Sequence, residues 1–287
     1  MEALKGIVPR LGLETTFNQY NAMTPKEREQ FKVDSFNRSE GNRHEDDGYD
    51  CRICRNHAII CKLVENPDGS YSHTYVPCRC EETRRSIIRM RRSGLKNIIT
   101  DYTFEKFEAT EPWQEALKNA ATEYANAKPP EGWFFIGGQS GAGKTHLCTA
   151  ICRKFLLEGR RVMYMLWRDE AVKLKGLVNS DTKAYEELID KYKKAEVLYI
   201  DDLFKTGKGP DGDTQRPTGA DVNIAFEIIN YRCNNPELLT IISSECTEDD
   251  LLDIDEAVGG RIIEKAKAFS IAKDRKRNYR LKKAVTL

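Results

Sequence analysis

The chain has 287 residues, 40% of them hydrophobic and 32% charged, with a formal net charge of +1. That length allows one large domain with a smaller companion, and the hydrophobic share suffices for a core. The balance of charge excludes a polyanion partner attracted by bulk charge, and no run approaches the ~18 apolar residues of a membrane helix.

Met1 to Tyr20 has no long apolar run, so no signal peptide is expected. Nine cysteines without an export signal point to a cytoplasmic chain whose thiols are reduced or metal-bound. Residues 1–47 form a polar, partly helical arm. Within it Thr24, Pro25 and Glu27 predict a capped helix start. The rest of the arm reads either as a loose tail or as a docking segment, and residues 38–50 as a polar linker. Residues 48–82 hold five of the cysteines. Residues 83–97 read as a basic helical linker, broken at Ser93-Gly94. From Asp101 the pattern alternates: strands at Trp133 to Gly137, Arg161 to Leu166, Val197 to Ile200 and Leu239 to Ser243, with helices between them. Helical text continues to about Lys267, and a basic segment follows. Strand–helix alternation over 98–287 predicts a parallel sheet covered by helices.

Cys51, Cys54, Cys78 and Cys80 form two short-spaced pairs, which suits four thiolates around one tetrahedral Zn²⁺. The Asn66-Pro-Asp-Gly69 turn between them predicts a hairpin, with one pair at each side. The single residue between Cys78 and Cys80 departs from the usual spacing of two. Ordinary reduced cysteines or a redox pair are the alternatives, and Cys61, His57 and His73 are spare ligands.

Gly138-Gln139-Ser140-Gly141-Ala142-Gly143-Lys144-Thr145 fits the P-loop pattern between an apolar strand and a helix. Its backbone N–H groups and the helix N-terminus suit phosphate oxygens, with Lys144 reaching the β and γ phosphates and Thr145 ligating Mg²⁺. The strand at Val197 ends in Asp201 and Asp202, where ligands gather in open parallel sheets. Asp201 is expected to hold Mg²⁺ and Asp202 to polarise water. Two basic clusters, Arg84 to Lys96 and Lys273 to Lys283, read either as solvated faces or as tracks for a phosphate backbone.

The ordered set is more specific than any one motif. It comprises the two cysteine pairs, Ser93-Gly94-Leu95, Tyr102 to Phe107, Gly137 to Leu147, Leu198 to Leu203, Gly260-Arg261-Ile262 and Asn278-Tyr279-Arg280. Residues 48–287 resemble the DnaC/DnaI-type replicative helicase loaders, AAA+ ATPases related to the IstB transposition ATPases, in a prophage branch with an N-terminal cysteine cluster. The resemblance implies an α/β AAA+ P-loop NTPase beside a small zinc-binding module. It implies binding of ATP or ADP with Mg²⁺ (His146 joining the P-loop residues), and slow hydrolysis stimulated by DNA or a partner. The implied partners are a DnaB-type hexameric helicase, single-stranded DNA and, with ATP bound, further copies of the chain. Arg261 would be an arginine finger given in trans and Arg280 a second sensor. Where the family often has Asn after the fourth strand this chain has Glu245, and Ser244 is the expected substitute. Two other uses stay open: IstB-like target selection for a transposase, and a nucleotide-switched inhibitor or adaptor of a helicase.

Overall fold

The computed structural model describes residues 17–92, 95, 98–207 and 215–282. Ser93, Gly94, Lys96, most of the Gly/Pro-rich stretch at 208–214, and Lys283 lie outside the described residues. The chain divides into two compact units, Met1–Arg85 and Ser86–Leu287.

In the first unit, α1 (Phe17–Ala22) and α2 (Pro25–Arg38) precede the short α3 (Arg43–Asp47). The start of α2 is a full capping box: the Thr24 hydroxyl accepts the Glu27 N–H, and the Glu27 carboxylate accepts the Thr24 N–H at 2.7 Å. Strands β1 (Ile59–Glu65) and β2 (Tyr71–Pro77) pair antiparallel around the expected turn. Helix α2 packs on this hairpin. The Asn37 amide pairs with both backbone groups of Cys61 at 2.9 and 3.0 Å, and the Phe36 and Tyr75 rings meet edge to face. The capped helix and the cysteine hairpin therefore share one small core. Helix α4 (Cys80–Arg92) follows.

The polar stretch 38–50 is more than a linker. Asp47 is buried and takes two bonds from the equally buried Arg84 guanidinium, at 2.6 and 2.7 Å. Arg84 also donates to Asn56 Oδ1, which accepts the Cys51 N–H as well. The first member of the basic cluster is thus an internal strut, unavailable to phosphate. Removing one partner of a buried pair strands the other charge. Asp47→Ala is expected to destabilise this unit by about 3–5 kcal/mol, read as an earlier urea transition of the first unit.

The second unit begins with α5 (Ile98–Asp101) and α6 (Pro112–Asn126). Then β3 (Trp133–Gly138), α7 (Lys144–Leu157), β4 (Val162–Leu166), α8 (Trp167–Val178), α9 (Thr182–Lys193) and β5 (Val197–Leu203) alternate. After them come α10 (Gly219–Cys233), β6 (Leu239–Ser244), α11 (Glu248–Ile254), α12 (Glu256–Lys265), β7 (Ala266–Ile271) and α13 (Tyr279–Lys282). The five strands are all parallel, in the order β4-β5-β6-β3-β7. The P-loop strand β3 is buried at every residue, as its unbroken apolar run requires. Residues from β3, β4, β5 and β6 form one core with side chains of α8, α9, α10 and α12. This is the AAA+ P-loop fold. Strand β7 corrects the expectation of helix to Lys267. Only Ile271 of its six residues is buried, so no apolar run announces it. Among the described residues no helix is long and apolar enough to cross a membrane.

Candidate functional site

The carboxyl ends of β3, β4 and β5 and the start of α7 surround a cleft of 610 Å³. Its floor is the P-loop. Gly138 has φ +94°, and a Cβ there would stand 2.0 Å from the Ile271 carbonyl oxygen. Gly141 has φ +71° and faces the Asn278 amide, which a Cβ would meet at 2.1 Å. Only glycine fits either place. Strand β7 and the segment after it therefore brace the loop: Gln139 N–H donates to Ile271, and Tyr279 N–H to the Gly141 carbonyl. Ala142 is buried beneath the loop.

Lys144 is buried and donates to the carbonyls of Gly138 and Gln139 at 2.8 and 2.7 Å. Burial lowers its ammonium from the ordinary lysine range. A bound anion would act against that shift. The Thr145 hydroxyl donates to Asp201 Oδ1 at 3.2 Å, although 56 positions separate them. Tyr164 donates to Asp201 Oδ2 at 2.9 Å, and Ser243 bonds Oδ1. Burial raises the Asp201 carboxyl, while the Ser243 hydroxyl works against the rise. Thr145 and Asp201 thus bring hard oxygen donors together, as Mg²⁺ requires.

Asp202 needs an unusual backbone to enter the cleft. Its φ is +57°, and the pairing of β5 with β6 slips between Ile200 and Leu203. The bulge breaks strict alternation, so both Asp201 and Asp202 line the same cavity. Nothing in two adjacent aspartates announces such a bulge.

Glu245 lines the cleft, whereas Ser244 does not. Ser244 is fully buried; its hydroxyl donates to the Leu203 carbonyl and accepts the Cys246 N–H. The expected substitute at this position is therefore a brace between strand ends, and the side chain facing the cavity is the acid. His146 donates to the Thr103 carbonyl at 2.8 Å, and Tyr102 and Phe107 each lie 5.5 Å from its ring. With Tyr279 they give one stretch of the cleft an aromatic wall suited to a flat heterocycle. Arg280 also lines the cavity. Arg261 does not: it sits on α12, bonded to the Ala257 carbonyl and lying over the Phe226 ring at 5.1 Å. In the second basic cluster, Lys273 pairs with Asp250, and Arg277 lies over Trp113.

The first unit holds a separate candidate metal centre. The Sγ atoms of Cys51, Cys54, Cys78 and Cys80 all lie within 4.8 Å of one another, and all four residues are buried. Cys51 and Cys78 are 3.9 Å apart, Cys54 and Cys80 3.5 Å. A tetrahedral zinc with bonds of about 2.3 Å needs edges of about 3.8 Å, so the cluster fits. Arg55, Asn56 and Ala58 take left-handed conformations, which fold the knuckle after the first pair. Burial pushes the Cys78 and Cys80 thiols up, a cost that a divalent cation removes. Arg84 bonds Cys80 and would offset part of the −2 charge of a Zn(Cys)₄ centre. The spare ligands are engaged elsewhere: His57 with Ser39, and His73 with Glu29.

Comparison with known proteins places this geometry. Residues 98–211 match the bacterial DnaA ATPase domain. The uncharacterized protein YqaM of Bacillus subtilis (strain 168) is 34% identical over 193 residues, 64% of this chain and 59% of that protein. The phage-like element PBSX protein XkdC of the same strain is 28% identical over 225 residues, 75% of this chain and 79% of that one. The replicative helicase loader DnaC of Buchnera aphidicola subsp. Baizongia pistaciae (strain Bp) is 27% identical over 114 residues, 39% and 46% of the two chains. The alignments thus span 59% of YqaM and under half of that loader. Strand order and motif set are those of the AAA+ P-loop fold, and in its ATPase region the chain is similar to proteins of the DnaA and DnaC type.

Proposed function

We propose that the chain is an ATP-dependent loader that binds a DnaB-type hexameric replicative helicase and helps to place it on single-stranded DNA. The observation that carries its ATPase half is the meeting of Thr145 and Asp201 at 3.2 Å beside Lys144. A phosphate cradle alone would only bind; a paired Mg²⁺ site beside Asp202 supports hydrolysis. The loader half rests on likeness to the DnaC relatives and on the cysteine module.

In this reading the P-loop amides and Lys144 hold the β and γ phosphates. Thr145 and Asp201 hold Mg²⁺, which when bound neutralises phosphate charge. Asp202 orients the attacking water, whose oxygen bonds the γ-phosphorus as the bond to the bridging oxygen breaks, and ADP and inorganic phosphate leave. Arg280 meets the phosphates in cis. Arg261 is half-buried on α12 and does not line its own cleft, so it serves only a neighbouring subunit, and the working form is a homo-oligomer. The four cysteines hold Zn²⁺ and shape the first unit for the helicase.

The oligomer is tested by mixing variants. Arg261→Ala is expected to spare ATP binding and to cut turnover by ~10³-fold, the scale of a lost arginine finger. Asp202→Asn should also bind ATP without turnover. Mixed together, the two should recover part of the activity, because one interface in the mixture has both a finger and a water-orienting acid. No recovery at any ratio would place Arg261 outside the site.

One observation favours a second reading. Asp202 is held by Lys205 at 2.8 Å, which restrains the water-orienting acid and suits a nucleotide switch with little turnover. A helicase-binding adaptor would show that behaviour.

A further inference from the structure

Lys205 belongs to none of the motifs read from the sequence, yet it stands among the residues lining the cleft. Asp202 and Phe204 both have left-handed φ, +57° and +59°. Two such residues in three curl the chain back, and the Lys205 N–H donates to the Asp202 carbonyl at 2.9 Å. Its ammonium then lies 2.8 Å from Asp202 Oδ2 and 3.0 Å from Glu245 Oε1. Burial alone would lower the lysine, but the bonds to the two carboxylates prevail and raise it, so it stays a cation. Glu245 is held below the usual carboxylate range, its bonds to Lys205 and Ser140 outweighing burial. Lys144, Lys205, Asp202 and Glu245 all line this one cleft. The ammonium pair, the P-loop and the two acids are therefore one electrostatic group.

Glu245 follows β6, where a neutral polar side chain would serve a terminal phosphate. An uncompensated carboxylate there would repel that phosphate. A lysine ammonium has three N–H donors, and the two carboxylates engage two of them.

We propose that Lys205 is the terminal-phosphate ligand of this site, a cation held in cis by Asp202 and Glu245 that makes the cleft distinguish a nucleoside triphosphate from the diphosphate. Its remaining donor bonds a γ-phosphate oxygen, and that bond draws it away from Asp202, which is then free to orient water. Glu245 is the positioning residue, and its charge is neutralised by the ammonium it holds. A diphosphate offers no acceptor at that place, so Lys205 stays on Asp202 and the acid stays restrained. This inference rests on the reading of the cleft as a nucleotide site.

Calorimetric titration of the full chain in Mg²⁺ tests it, with ADP and with an ATP analogue bearing a β,γ-methylene bridge. Lys205→Met is expected to weaken analogue binding by ~10-fold or more, the worth of one charge-assisted hydrogen bond, and to leave ADP within ~2-fold. Lys205→Arg should keep most of the preference. Glu245→Gln should lower the ratio of analogue to ADP affinity by less than Lys205→Met does, because it loosens the ammonium but leaves it on Asp202. Equal losses for both nucleotides in Lys205→Met, no loss for either, or a raised ratio in Glu245→Gln would overturn the role of Lys205. Wild-type protein that binds ADP and the analogue, with a Lys205→Met variant that keeps the wild-type preference between them, refutes this inference alone. Wild-type protein that binds neither refutes the nucleotide reading and this inference with it.

Discussion

Lys144→Ala is expected to weaken ATP binding by at least ~100-fold, since the side chain supplies two charge-assisted bonds worth about 1.5–3 kcal/mol each. The loss should come without unfolding. The ammonium is buried, and burial lowers it, so its removal relieves a desolvation cost. The carbonyls of Gly138 and Gln139 lose a donor, a smaller penalty in a loop braced by β7 and Asn278. The melting temperature should therefore stay within a few degrees while titration with ATP goes flat. Unchanged nucleotide affinity would remove the P-loop assignment, and a collapsed melting curve would make Lys144 a structural residue.

Withdrawal of zinc should be the largest structural effect. Zinc binding to small cysteine modules contributes roughly 10–16 kcal/mol at neutral pH, which exceeds what a unit of this size gains from its own core. Helix α2 is tied to β1 through Asn37 and Cys61, and the knuckle to Asp47 through Asn56 and Arg84. Chelation, or Cys78→Ser, is therefore expected to melt the first unit together with its capped helix. Hydrogen exchange should show lost protection across residues 24–85 and retained protection in the parallel sheet. ATP affinity should change by less than ~2-fold, because every residue lining the nucleotide cleft comes from the second unit. Metal analysis should give one zinc per chain. A chain that purifies without zinc and still protects the hairpin would exclude the metal centre.

The fold was legible where physics acts locally. The apolar runs of β3, β5 and β6 are buried on both faces, so they read directly from composition, and the P-loop follows from spacing. Thr24 and Glu27 marked the start of α2 because a capping box is complete within four residues. Strand β7 was missed because only Ile271 of its six residues is buried and its charged Lys267 continues the pattern of α12. The Asp47–Arg84 strut joins positions 37 apart, and two polar residues in different segments do not reveal that they will be buried together. In the cleft, the types of Lys144, Thr145, Asp201 and Asp202 were readable. The bulge that turns Asp202 inward and the return of Lys205 depend on left-handed backbone at Asp202 and Phe204, and the retreat of Ser244 on its bond to the Leu203 carbonyl. Phe204 does not signal such a conformation, and Asp202, of a type that tolerates it, reads first as a ligand.

The most direct test of the central claim is recovery of the replicative helicase on this chain from its native cell, with and without ATP. The account predicts that a hexameric DnaB-type helicase is retained by wild-type protein, that ATP changes the retained amount, and that Lys144→Ala abolishes this ATP response while Cys78→Ser abolishes retention. Helicase absent under both conditions, with Cys78→Ser indistinguishable from wild type, would contradict it.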